Sequence, residues 1–238
     1  MSAVQETLGK AARDPRAAAR AVADQATTAR DAVEGARDAQ RLKREHPRLV
    51  PPVEGWGALE ALHRTYVAEV STPAMAVSWE TARLLRHLCD ACAPRRIADL
   101  GSGFSSCVLR DYAAVAPHDV EVVSVDDSGE WLERTREFLR ANGHETGELR
   151  TWQEFAAGPG APFDLIFHDL AGGELREAGM SVAVGALGPR GVIVFDDAHH
   201  AGHRREARRV ARDAGLATYS LQRWTGDSYG RFALLAAP

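Results

Sequence analysis

Four short apolar runs in this chain each stop at a glycine turn or a carboxylate, and a helix-like stretch follows each one. Arg96 to Leu100 runs into Gly101-Ser102-Gly103, and Val120 to Val125 into Asp126-Asp127. Phe163 to Phe167 runs into His168-Asp169, and Gly191 to Phe195 into Asp196-Asp197. A weaker strand is read at Leu149 to Trp152. Helical periodicity fills 104–115, 129–141, 173–187 and 202–214. Strands that alternate with helices are joined by right-handed crossovers, so they lie parallel in one sheet with helices on both faces. The expected fold class is therefore α/β, with a doubly wound, mostly parallel sheet. Leu216 to Arg223 and Tyr229 to Ala236, around Thr225-Gly226-Asp227, read as a C-terminal hairpin that sets an antiparallel strand at or near one sheet edge. A sheet built only for stability has no reason to repeat such strand ends. Ligands of open α/β sheets bind beyond the carboxyl ends of the strands.

Residues 1–46 differ from the rest: they are rich in Ala, Arg and Asp and hold no aromatic residue. Asp14-Pro15 reads as an N-cap followed by the first helical residue. Ala19, Val22, Ala26, Ala29, Val33 and Ala36 recur at steps of three or four, which is helical. The stripe is too small to bury much, so this α-helical N-terminal segment is expected to dock loosely or to meet a partner, with homo-oligomerisation as one use. The breakers of 47–57 read as a linker, leaving 58–238 as the ligand-binding domain. Two helices, Trp56 to Val70 and one capped by Ser78, precede the first strand.

A length of 238 residues with 45% hydrophobic and 26% charged content suits one globular domain with an appendage. A net charge of −4 argues against general nucleic-acid binding. No apolar run approaches the ~20 residues of a membrane span, and Met1 to Lys10 lacks the apolar core of a secretory signal. Three cysteines cannot form a closed disulfide set, so a reduced, cytoplasmic setting is expected. Cys89, Cys92 and Cys107 read as buried thiols, and the run Arg204, Arg205, Arg208, Arg209 and Arg212 as a solvated helix face.

The strand ends carry the chemistry. Glycines at 101 and 103 let the backbone turn sharply and a ligand lie against it. A carboxylate at Asp126, 27 residues after Asp99, can accept two hydrogen bonds from ribose hydroxyls. Together they specify an adenosine-type ligand. Asp169, Asp196 and Asp197 bring three carboxylates to one mouth, where they need a cation or protons. Oxygen-only ligands suit Mg²⁺, Ca²⁺ or Mn²⁺; in the alternative, one of them, such as Asp197, caps the next helix. His168 points away from Asp169 if the strand persists. His199 and His203 share a face if helical, and with a carboxylate they can hold Zn²⁺. His199 or His200 also suits a general base near neutral pH.

Ile97 to Ser106 resembles the first motif of the class I S-adenosylmethionine-dependent methyltransferases. Val122 to Asp126 resembles their second-strand motif, and Phe163 to Asp169 and Gly188 to Asp197 their fourth- and fifth-strand motifs. The resemblance covers about residues 74–238, and it implies a Rossmann-like fold. Met75-Ala76-Val77-Ser78 before a helix, with Asp196-Asp197, is similar to the small-molecule O-methyltransferase branch. In many of that branch, an Asp after the fourth strand and two adjacent residues after the fifth bind a divalent metal. The resemblance implies that Gly101, Ser102 and Gly103 lie against the methionine part of S-adenosylmethionine and that Asp126 takes the ribose. Asp99 is implied to steady the glycine loop or meet the cofactor ammonium, and Ser78 and Asp169 to line the same pocket. The adenine is expected near Gln153 or Glu154. Two positions depart from the pattern: Ser105 stands where many members have a third glycine, and Gly172 where some have a catalytic lysine. The expected activity is methyl transfer to a hydroxyl of a small-molecule acceptor, with Asp169 acting alongside a metal such as Mg²⁺ on Asp169, Asp196 and Asp197. The alternatives are a metal-free O- or N-methyltransferase with a His199 or His200 base, a nicotinamide-dependent oxidoreductase, and a non-catalytic adenosine-nucleotide binder.

Overall fold

A computed structural model describes residues 15–52, 57–170 and 172–238, with side chains from residue 29 onward. Asp14, Gly55, Trp56 and the first ten residues, all used in the sequence reading, lie outside the described residues. The chain runs α1 (Pro15–Glu45), a 3-10 turn (Pro47–Leu49), α2 (Gly57–Glu69), α3 (Trp79–Cys92), β1 (Arg96–Leu100), α4 (Phe104–Val115), β2 (Glu121–Asp126), α5 (Gly129–Ala141) and β3 (Glu148–Thr151). It continues through α6 (Trp152–Ala157), β4 (Phe163–His168), α7 (Glu174–Gly185), β5 (Leu187–Phe195), α8 (Ala201–Asp213), β6 (Ala217–Ser220), α9 (Gln222–Thr225) and β7 (Leu234–Ala237).

The seven strands form one sheet in the order β3-β2-β1-β4-β5-β7-β6. β1 to β5 are parallel, while β7 runs antiparallel to both β5 and β6. Strand residues alternate between two apolar layers, because successive side chains leave opposite faces. Ile97, Val122, Leu165 and Val194 meet Leu84, Leu85, Leu88 and Val108 on one face. Ala98, Val123, Ile166 and Ile193 meet Phe155, Met180, Ala183 and Val210 on the other. Burial on both faces explains why these strands read as continuous apolar runs.

The C-terminal hairpin differs from its expected form. Gln222 to Thr225 is a helical turn, and β7 begins only at Leu234. Asp227 accounts for part of this: its Oδ1 accepts the backbone N–H groups of Tyr229 and Arg231, which holds 227–231 as a turn. The placement of the hairpin is as expected: β7 is antiparallel and lies one place in from the edge, with β6 the edge strand.

The arginine run is a solvated face only in part: Arg205, Arg209 and Arg212 are exposed, whereas Arg204 and Arg208 turn to α1. Arg204 pairs with Asp31 at 2.8 Å, and Arg208 pairs with Glu34, so α8 holds α1 by charge. Arg209 instead pairs with Glu206 and Asp213 on its own helix. Leu42 of α1 is fully buried in the first apolar layer. The Asp38 carboxylate accepts the Ser220 N–H of β6 at 2.8 Å, and the Tyr219 hydroxyl donates to Glu45. Asp38→Ala strands that buried N–H and is expected to lower the unfolding free energy by about 1–3 kcal/mol in urea denaturation. Glu34→Ala, at a more exposed pair, should cost less than about 1 kcal/mol.

Candidate functional site

Two halves of the sheet diverge from β1 and β4, and the site opens between their carboxyl ends, where ligands of such sheets bind. The strand ends are tied together by their backbones. Gly101 N–H donates to Val125, Asp169 N–H to Leu100, and Asp196 N–H to His168. Gly101 sits at φ +108, and a Cβ there would stand 2.4 Å from the Asp169 carbonyl oxygen. Only glycine allows that approach, so the turn after β1 presses onto the loop after β4.

A cavity of about 430 Å³ occupies this opening. Gly101, Ser102 and Gly103 line it together with Asp126, Asp169, Asp196 and Asp197. The sequence-predicted glycine turn, ribose-type carboxylate and acid cluster thus share one space. The Asp126 Oδ2 accepts both the N–H and the hydroxyl of Ser102 at 2.9 Å, and its Oδ1 accepts the Ser128 N–H. A carboxylate offers about four lone-pair sites, so capacity remains toward the cavity. Burial pushes the Asp126 carboxyl above its usual range.

Other predicted residues stand elsewhere. Asp99 is fully buried beneath the turn, where its Oδ2 accepts the hydroxyls of Ser106 and Ser124. Ser78 is the N-cap of α3, accepting the Thr81 N–H at 3.1 Å, while its neighbour Val77 reaches the cavity. Gln153 is exposed and does not line the cavity. Glu154 caps α6 by accepting the Thr151 N–H and hydroxyl. Gly172 faces open space.

His199 and His200 also do not line the cavity. His200 is the N-cap position of α8 and His199 precedes it, so His199 and His203 share no helical face. The three rings follow one another instead, His199 tilted against His200 at 3.9 Å between centroids and His203 edge-on to His200 at 5.2 Å. His199 Nδ1 lies 3.5 Å from Asp197 Oδ1. Its charged form is disfavoured by burial and by His200. His168 is buried on the far side of β4 against Phe195, and burial pushes its imidazole down to about 3. Cys89 and Cys107 are buried thiols, Cys92 is half-buried, and all three are unpaired. Burial pushes the Cys107 thiol up to about 12.

Four cavity residues carried no sequence signal. Tyr66 of α2 lies over Gly103, where a Cβ would meet its hydroxyl at 3.0 Å. Trp131 enters from the first turn of α5. Arg231 donates to the carbonyls of Pro73, Ala74 and Ala76 and pairs with Asp227, fastening the 73–76 segment at the rim. Arg176, in the first turn of α7, pairs with Asp169 at 2.7 Å and with Asp197 at 3.1 Å. Burial and the nearby Asp196 charge push the Asp169 carboxyl well above the usual range. Burial and Asp197 raise Asp196 to about 6. Among the described residues, no group of three His, Cys, Asp or Glu side chains is disposed to hold a metal ion. No described helix is long and apolar enough to cross a membrane.

No family model and no curated protein sequence matches the chain. Solved structures do match it. An O-methyltransferase from Bacillus cereus in complex with SAH is 20% identical, with a TM-score of 0.61, over 87% of this chain and 98% of that one. TomG from Streptomyces achromogenes, an O-methyltransferase of tomaymycin synthesis in complex with SAM, is 20% identical, with a TM-score of 0.59 over 87% and 97%. Cofactor-bound Rv0187 from MTB is 23% identical, with a TM-score of 0.59 over 86% and 96%. The chain has the Rossmann-like fold of the class I S-adenosylmethionine-dependent O-methyltransferases.

Asp99 gives this site a pH signature in stability. Burial raises its carboxyl from 3.8 to about 6. Between those values the native state keeps a proton that the unfolded chain has released, so stability falls as pH rises through the window and levels off above it. Asp99→Asn is expected to make that decline shallower in urea unfolding between pH 4 and 7 than in the parent.

Proposed function

We propose that this chain transfers a methyl group from S-adenosylmethionine to a hydroxyl oxygen of a small-molecule acceptor. One observation carries the reading: a glycine turn and a cavity-facing Asp126 at the sheet's switch point open into the same cavity as Asp169 and Asp196. The volume of about 430 Å³ lies within the roughly 300–1,000 Å³ of small-molecule sites. The solved structures of this fold that hold SAM or SAH support the choice of cofactor.

Asp126 keeps acceptor capacity for a ribose hydroxyl beside the bonds it takes from Ser102 and Ser128, and the Gly101–Gly103 backbone leaves room for the methionine part. Trp131 offers an aromatic face beside Asp126, a better placed neighbour for adenine than the exposed Gln153. S-adenosylmethionine supplies an electrophilic methyl group on a sulfonium. The residues around it bind, align and exclude water, which is the larger part of catalysis for such a displacement. The acceptor hydroxyl gives its proton to the Asp169–Asp196 pair, since those carboxylates line the cavity and His199 and His200 do not. The Arg231 clamp on residues 73–76 shapes the rim through which an acceptor enters.

The binding half is tested by calorimetry with S-adenosylmethionine and with NAD. The parent should bind the first and not the second. Asp126→Asn keeps the size of the side chain but removes the charge, and is expected to weaken binding by about 2–4 kcal/mol, roughly 30- to 1,000-fold. Unchanged affinity in that variant would overturn the ribose assignment. The transfer half is tested with labelled methyl donor and a panel of hydroxylated acceptors. Asp196→Asn should lower kcat by about 10²–10⁴-fold while its S-adenosylmethionine affinity stays close to that of the parent.

A further inference from the structure

The resemblance leads one to expect a divalent ion on Asp169, Asp196 and Asp197. The donor chemistry is right, since all three offer carboxylate oxygens. The space is not. The Arg176 Nη2 donates to Asp169 Oδ1 at 2.7 Å and to the Asp169 carbonyl at 3.3 Å, and Nη1 lies 3.1 Å from Asp197 Oδ2. The guanidinium takes up one oxygen of each of these two carboxylates, and among the described residues no group of three His, Cys, Asp or Glu side chains is disposed to hold a metal ion. The fit to a metal therefore fails on this chain's own geometry.

Arg176 is built into that position. Its side chain is only 6% exposed. Its helix is packed tightly below: a Cβ at Gly179 would meet the His168 ring at 2.9 Å. A cation in the first turn of a helix opposes the helix dipole, so it needs carboxylates around it, and Asp169 and Asp197 supply them. Asp197 reaches its partner from a left-handed backbone, φ +55, which aspartate tolerates better than most residues. A guanidinium stays charged at every pH the protein meets, so three clustered acids always have a cation beside them.

We propose that the Arg176 guanidinium is the resident cation of this carboxylate set, standing where the resemblance implies a divalent ion, and that the site works without a metal. The catalytic consequence rests on the methyl-transfer reading above, whereas the occupancy of the carboxylates does not. As a positioning residue, Arg176 fixes Asp169 and Asp197 and keeps a positive charge next to the hydroxyl that loses its proton.

The test reads Mn²⁺ uptake by electron paramagnetic resonance, without acceptor or turnover, so its failure is distinct from failure to bind or transfer a methyl group. The full-length parent should take up no Mn²⁺ at millimolar concentration. Arg176→Met, checked for folding by circular dichroism, should bind one Mn²⁺ at least about tenfold more tightly than the parent, and adding Asp169→Asn should remove that ion. One Mn²⁺ bound by the parent and lost in Asp169→Asn overturns the proposal. A folded Arg176→Met that takes up none overturns the equivalence of guanidinium and metal. If Arg176→Met does not fold, the parent and its Asp169→Asn variant decide: no uptake supports the proposal, and one ion lost on substitution refutes it. Arg176→Lys, which keeps the charge, should take up no more Mn²⁺ than the parent.

Discussion

The site depends on one close backbone approach. Gly101 has no Cβ, so the Asp169 carbonyl can occupy the place a Cβ would need. That contact joins the turn after β1 to the loop after β4, the two segments on either side of the switch point. The glycine turn and Asp126 belong to one side, and Asp169 and Arg176 to the other. Pressed together, they wall a single cavity rather than two separate clefts. The backbone bonds from Gly101, Asp169 and Asp196 to the neighbouring strand hold the three ends in register, which is the rigidity that alignment of the proposed reactants needs.

Charge around the cavity follows the same economy of place. Burying an unpaired charge is costly, so buried charges come with partners. Beneath the turn, Asp99 takes the hydroxyls of Ser106 and Ser124, and Arg110 donates to Ser124 behind them. At the mouth, Arg176 answers Asp169 and Asp197. At the outer edge, Arg204 and Arg208 answer Asp31 and Glu34. Four arginines from three helices thus anchor the floor, the mouth and the N-terminal helix. Arg110 and Arg176 act on the site, and Arg204 and Arg208 fasten α1 to the edge of the sheet beside β6.

Much of this was written in local pattern. Apolar runs ending in Gly101, Asp126, Asp169 and Asp196 announce parallel strands and the end of the sheet that carries ligands, because two-faced burial and strand pleat impose that pattern wherever it occurs. Asp126, Asp169, Asp196 and Asp197 were legible for the same reason: each follows directly on a strand, so the sheet delivers it to the mouth. Gln153 is not brought to the cavity, since a short helix starting at Trp152 leaves it exposed, and Ser78 caps its helix as the sequence predicts while Val77 lines the cavity in its place. The hairpin lost its expected length to the Asp227 turn, a side-chain bond that no periodicity encodes.

The sequence by itself determined the strand–helix order, the glycine turn and the row of acids, because these depend on neighbours a few residues apart. Tertiary structure decided what stands among the acids and what closes the cavity. Arg176 lies seven residues past Asp169 in a helix with no motif, and it reaches Asp197 only because β4 and β5 pair side by side. Tyr66 and Arg231 come from opposite ends of the chain and meet the cavity only once the sheet has wound. Charge pairing between residues far apart in sequence depends on distance in space, and only the folded backbone sets that distance.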